Sequence, residues 1–228
     1  MTLPRRLCLL ASCLAAGLLA GDGEPQAQAR AQLGFTTAAS ERLIESYSRR
    51  FGPATRVRLD AWKREAARRK ASPAGSEAML LEDVNRLLNR VRFVDDPPHW
   101  GEADYWATPA ESVGSNGADC EDFSIAKYFM LKELGVPTAR LRMTYVKAVK
   151  INQAHMVLAY YARPDAEPLV LDNLEDAVRP ASQRADLVPV YSFNDEQVWI
   201  EARGRSGSPR QIRNWNLLME RLDRELRT

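Results

Sequence analysis

Sulfur and imidazole are scarce in this chain, which has three cysteines and two histidines among 228 residues. Nor does one sign of charge dominate, since 32 Lys and Arg stand against 30 Asp and Glu for a formal net charge of +2. Arg68-Arg69-Lys70 is the one short basic run, and it reads as a solvated helix face rather than a nucleic-acid patch. No internal repeat is evident. Outside the N-terminus, no stretch approaches the roughly 18 uncharged apolar residues that a membrane span needs. With 45% hydrophobic and 27% charged residues, the chain has the balance of a soluble globular protein. Its length suits one compact domain of two lobes.

The N-terminal segment has the pattern of an export signal. Arg5-Arg6 precedes an apolar run from Leu7 to Ala20, followed by polar residues and Ala27-Gln28-Ala29. This predicts a signal peptide over residues 1–29, removed near Ala29, and a periplasmic location for the mature chain over 30–228. A competing reading takes Leu10-Ala11-Ser12-Cys13 as a lipoprotein box, with a lipid on Cys13, although the apolar stretch before it is short. Cys8 and Cys13 both lie inside the signal, so Cys120 alone remains and no disulfide can form within the mature chain. A lone cysteine kept in an oxidising compartment is a candidate nucleophile.

Helical patterning fills the first half of the mature chain. Ser40-Glu41 opens a helix carrying Leu43, Ile44 and Tyr47, which Gly52-Pro53 breaks. A second helix spans Val57 to Lys70 and ends at Ser72-Pro73-Ala74-Gly75. A third runs from about Ser76 to Val91, with Leu80, Leu81, Val84, Leu87, Leu88 and Val91 forming an apolar stripe. Together they predict a helical lobe over about residues 35–100. The segment Asp95-Asp96-Pro97-Pro98-His99-Trp100-Gly101 reads as a loop because of its prolines. The aromatic connector Tyr105-Trp106-Ala107-Thr108-Pro109 follows.

The second lobe, about residues 101–228, is built on a central helix from Asp119 to Leu134, apolar on almost every side. Strands are expected at Ala139–Lys147, His155–Tyr161, Leu169–Leu171 and Gln197–Ile200, and a final amphipathic helix at Pro209–Leu226. These elements make an α+β fold with an antiparallel sheet against the central helix.

Cys120 sits at the start of that helix, where unpaired N–H groups and the positive end of the dipole favour thiolate. Asp119 could cap the helix. Negative charge at Asp119, Glu121 and Asp122 opposes ionisation of the thiol unless a cation offsets it. His155 opens one strand and Asp172 ends the next, so antiparallel pairing would set the two side by side. His99 lies in a proline-bounded loop and is not placed in the chemistry.

Cysteine on a helix start, histidine on a strand and aspartate on the next strand is the order of the papain-like and transglutaminase-like superfamily. Gly117-Ala118-Asp119-Cys120-Glu121-Asp122-Phe123, Ala126-Lys127-Tyr128, Asn152-Gln153-Ala154-His155-Met156-Val157 and Leu171-Asp172-Asn173 resemble the bacterial transglutaminase-like cysteine proteases of the LapG type. The resemblance covers about residues 35–225. One departure is Ala118, where the pattern leads one to expect a second glycine.

The resemblance implies a calcium-dependent periplasmic endoprotease with catalytic Cys120, His155 and Asp172. Its substrate would be a large surface adhesin, clipped in its N-terminal region at an Ala-Ala site so that cells leave a biofilm. It further implies calcium held by Asp119, Glu121 and Asp122, with backbone carbonyls near Ala139 and Leu141 as added donors. The implied inhibitory partner is the periplasmic domain of an inner-membrane receptor for cyclic di-GMP. Two other readings keep the same cleft: a transglutaminase-type acyltransferase, and a non-catalytic calcium-binding module that holds an adhesin or receptor. Trp106 is a weak candidate for the second oxyanion donor, beside the Cys120 amide.

Overall fold

The computed structural model describes residues 39–71, 75–200, 204–205 and 207–228. The expected signal peptide, the lipobox and the start of the helical lobe lie outside these residues. Three helices come first: α1 (Glu41–Phe51), α2 (Ala54–Ala71) and α3 (Glu77–Leu88). Ser40 caps α1 by accepting the Leu43 N–H at 3.1 Å, and Gly52, at φ 96°, ends it. The buried faces follow helical spacing, with Leu43, Ile44 and Tyr47 on α1, Leu59, Trp62 and Ala66 on α2, and Leu81, Val84 and Leu88 on α3. The third helix is three residues shorter than its apolar stripe suggests.

Two short helices that the sequence reading left as loop or connector follow: α4 (Asp96–Trp100) and α5 (Pro109–Ser115). Pro97 and Pro98 do not prevent α4, because both fall in the first turn, where a backbone N–H has no intrahelical acceptor to lose. Helix α5 is set by a capping box in which Thr108 accepts the Glu111 N–H and Glu111 accepts the Thr108 N–H.

The central helix α6 (Cys120–Glu133) is buried along nearly its whole length, from Asp122 to Leu131. Asp119 caps it in a second capping box with Asp122. A seven-stranded antiparallel sheet packs against α6, in the order β4 (Arg179–Pro180), β3 (Leu169–Leu171), β2 (Gln153–Tyr160), β1 (Leu141–Ala148), β5 (Leu187–Phe193), β6 (Val198–Ile200) and β7 (Gly204–Arg205). The expected antiparallel sheet on the central helix is therefore present, with β4, β5 and β7 added. Pro189 hides β5 from a sequence reading. An internal strand tolerates it because the β1–β5 register shifts between Tyr145 and Val146, at Pro189's own pairing position.

The last helix, α7 (Arg213–Leu226), begins after a 3₁₀ turn at Pro209–Gln211. Trp215 stacks on Phe129 of α6 with centroids 5.9 Å apart, and meets Phe193 edge-on. At its far end Glu225 accepts hydrogen bonds from Tyr47 of α1 and from the Thr108 hydroxyl. One carboxyl thus joins α1, the entry to α5 and α7.

Burial raises the Glu225 pKa to about 8, against the hydrogen bonds from Thr108 and Tyr47. A carboxyl whose folded pKa lies above its unfolded value near 4.5 contributes most stability below pH 4.5, and loses it as pH rises through 8. Glu225→Gln keeps an acceptor for both donors without the titration. Its unfolding free energy, measured in urea, should lie within about 1 kcal/mol of wild type at pH 5 and exceed it at pH 9.

Candidate active site

Cys120 is the first residue of α6 and is half-buried. Its amide belongs to the first turn, whose N–H groups have no intrahelical acceptor. The thiol donates to Glu121 Oε2 at 2.8 Å rather than to His155. Burial, then the neighbouring Glu121 and Asp119 carboxylates, pushes the thiol well above its ordinary pKa, while the Met156 N–H acts the other way. Cys120 as it stands is a protonated thiol held by an acid.

His155 and Asp172 come together. The β2–β3 ladder ends at Leu158 opposite Leu171, so one more step of the register sets Asp172 opposite Val157. His155 is then its diagonal neighbour on the same face. His155 Nε2 lies 2.8 Å from Asp172 Oδ1, with both side chains buried. Oδ1 also accepts the Leu174 N–H at 3.0 Å, while Arg184 Nη2 reaches Oδ2 at 2.7 Å. Burial raises the Asp172 pKa, but these partners outweigh it and hold the carboxylate at about 2. With Nε2 facing a carboxylate, the imidazole carries its proton there and leaves the Nδ1 lone pair free.

Helix α3 fixes the loop that carries Asp172. Asn89 Nδ2 donates to the Asp172 carbonyl at 2.9 Å and to Asp176 Oδ1 at 2.9 Å. Asn85, fully buried, donates to the carbonyls of Glu175 and Asp176. These asparagines and Arg184 are site residues that the sequence reading missed. In sequence they are ordinary polar positions on a helix and in a loop.

The acidic cluster differs from the expected one. Asp96, Asp119 and Asp122 each bring one carboxylate oxygen within 4.8 Å of the others. That spacing suits oxygens sharing one hard cation at 2.3–2.6 Å. Glu121 is instead turned to Cys120, and Asp96 from the first turn of α4 takes its place in the cluster. Burial is the main cause that raises the Asp96 pKa to about 6, with Glu121 and Asp104 adding to it. Burial likewise pushes Asp119 and Asp122 well up. Asp96 Oδ1 is buried without a hydrogen-bond partner. Buried carboxylates crowded together, one with an orphaned oxygen, fit a divalent ion among oxygen ligands.

The carbonyls near Ala139 and Leu141 do not belong to this cluster. They lie beyond the opposite end of α6, which at 14 residues is about 21 Å long. The Leu141 carbonyl accepts from Asn194 instead. Trp106 is also committed elsewhere, with its indole N–H donated to Asp104 at 3.0 Å and its ring stacked on Phe193.

The loop before Cys120 is held on two sides. Phe93 makes a parallel bridge to Ala118, through Val94 N–H to the Ala118 carbonyl and Ala118 N–H to the Arg92 carbonyl. On the other side His99 lies over Gly117, with Nε2 2.9 Å from Ser115 Oγ. A Cβ at Gly117 would sit 2.5 Å from the His99 ring, so glycine is required by close approach. Gly117→Ala should therefore lower stability by about 1–3 kcal/mol through overpacking. In the double variant with His99→Ala most of that loss should disappear, a coupling that denaturant unfolding of the four proteins would measure.

Comparison with known proteins agrees with this geometry. Residues 56–206 match the family model described as bacterial transglutaminase-like cysteine proteinase. Solved structures of LapG from Legionella pneumophila are 40% identical. One covers 80% of this chain and 95% of its own, with a TM-score of 0.68. The EGTA-treated form covers 80% and 96% at a TM-score of 0.70, and the calcium-bound form 81% and 99% at 0.68. No curated protein sequence matches. Cysteine at the buried helix start, the histidine–aspartate pair on adjacent strands and the matched residues together place this chain in the bacterial transglutaminase-like cysteine proteinase family.

Proposed function

We propose that this protein is a calcium-dependent endoprotease of the LapG type, acting in the periplasm on a large surface adhesin. The observation that carries the chemistry is the His155–Asp172 pair, with Nε2 on the carboxylate and Nδ1 left for a thiol. Cys120 attacks the scissile carbonyl after its proton passes to His155 Nδ1. To do so the thiol leaves Glu121 and turns toward the imidazole. The Cys120 amide stabilises the oxyanion, and His155 returns the proton to the leaving amine. Water then releases the acyl group, with His155 again as base. Asp172 keeps the imidazole oriented and does not itself exchange the proton.

Asp96, Asp119 and Asp122 would hold the calcium ion. Bound there, it would offset the carboxylates beside Cys120 and fix the start of α6. Matches to LapG structures both with calcium and after EGTA treatment support this reading. Among the described residues no helix is long and apolar enough to cross a membrane. The adhesin substrate, its Ala-Ala cleavage site, the release of cells from a biofilm and restraint by a cyclic di-GMP receptor's periplasmic domain are part of the same proposal, and follow from the family resemblance.

Incubation of the protein with an N-terminal adhesin fragment tests this directly. Cleavage should fall by at least about 10⁴-fold in Cys120→Ala. It should also stop with excess EGTA and return with calcium. Saturating calcium should raise the unfolding free energy by about 3–4 kcal/mol, and Asp96→Asn should remove most of that gain. Cleavage and stability that ignore both chelator and Asp96→Asn would sink the calcium site, and cleavage retained by Cys120→Ala would sink the nucleophile.

A further inference from the structure

The Asp172 carboxylate has two oxygens, and only one of them meets His155. The other is occupied by Arg184, which enters from the turn between β4 and β5. Its Nη2 lies 2.7 Å from Asp172 Oδ2, and both side chains are buried, at 7% and 0% exposure. Arg184 is itself fixed by Asp186, which accepts from Nε at 3.1 Å and from Nη2 at 3.1 Å. Its backbone is held at both ends, with the Arg184 N–H on the Ala181 carbonyl and the Arg184 carbonyl accepting the Leu187 N–H. A forked cation anchored in this way cannot follow Asp172 if the carboxylate rotates.

We propose that Arg184 is a positioning residue for the base, one that locks the Asp172 carboxylate so that Oδ1 alone faces His155. The inference rests on the triad reading given above. Its consequence is a single imidazole tautomer: the proton stays on Nε2, and Nδ1 remains an acceptor for the Cys120 thiol. Without Arg184, Oδ2 loses its charged partner, and the carboxylate keeps only the Leu174 amide and His155 to set its orientation. Lys127 of α6 is a second buried cation that senses Asp172 and Asp176, but burial lowers its pKa to about 7. No hydrogen bond ties Lys127 to Asp172, so it cannot set the carboxylate's rotation. A purely structural ion pair, linking the β4–β5 turn to the end of β3, would stabilise the fold without affecting the imidazole.

Two-bond ¹H–¹⁵N imidazole spectra of the calcium-loaded protein separate these roles, since the chain has only two histidines. His155 should show the Nε2–H tautomer in the wild type. In Arg184→Met a substantial Nδ1–H fraction should appear, with kcat on the adhesin fragment lowered about 10- to 100-fold and KM within twofold. Arg184→Lys should fall between the two, because an ammonium supplies the charge without the fork. If Arg184→Met does not fold, Arg184→Lys carries the test by the same readouts. A folded variant with wild-type imidazole shifts and kcat, even if less heat-stable, would overturn the positioning role. The spectra need no substrate, so a wild type that fails to cleave the fragment would count against the protease reading and leave this test intact.

Discussion

The structure depends on one constraint above the rest: the acidic first turn of α6 is taken out of water. A helix start attracts anions, but its dipole and free amides offset only a fraction of a charge. Here Asp119 and Asp122 occupy that turn, and Asp96 is brought against them from α4. The chain supplies what backbone donors it can. Asp122 accepts the Ala107 N–H at 2.6 Å, and Asp96 accepts the Tyr105 N–H. The connector between α4 and α5 is therefore shaped around these carboxylates. What the backbone leaves uncompensated fits a cation with oxygen ligands.

The other half of the site treats charge in the opposite way. Asp172 is as deeply buried as Asp122, yet it stays ionised because His155, Leu174 and Arg184 surround it. Two carboxylate systems thus lie on either side of the chemistry proposed for Cys120, one internally complete and one not. Completeness suits the pair that must hold a fixed proton position. The incomplete cluster lies at the start of α6, next to Cys120. Its thiol rests on Glu121, and the acids beside it hold it in the protonated form.

Rigid support comes from the packing of α6. Phe129 and Tyr128 pack against Trp215, and Phe193 against both Trp215 and Trp106. The sheet covers one side of the helix, while α3, α5 and α7 cover others. The loop carrying Asp172 is tied to α3 by Asn85 and Asn89, so the helical lobe helps to hold the His155–Asp172 pair. Interiors packed in this way deform little.

The sequence by itself determined the elements whose signals are local. Helices α1, α2, α3, α6 and α7 follow from apolar spacing, aided in α1, α3 and α6 by the caps Ser40, Ser76 and Asp119, and β1, β2 and β3 from short apolar runs between turns. The candidates Cys120, His155 and Asp172 were legible because their residue types, order and flanking motifs lie within the chain. Tertiary structure decided what depends on groups far apart in sequence. Asp96 joins Asp119 and Asp122 only because the Phe93–Ala118 bridge and the turn of α4 carry it there, while Glu121 here accepts from the Cys120 thiol. Arg184, Asn85 and Asn89 gain their roles from partners 12, 90 and 83 residues away. Strand β5 is decided by a bulge that accommodates Pro189, and α4 by where its prolines fall in the first turn. Periodicity and capping are written into neighbouring residues, whereas the partner of a buried charge is chosen by the fold that brings it close.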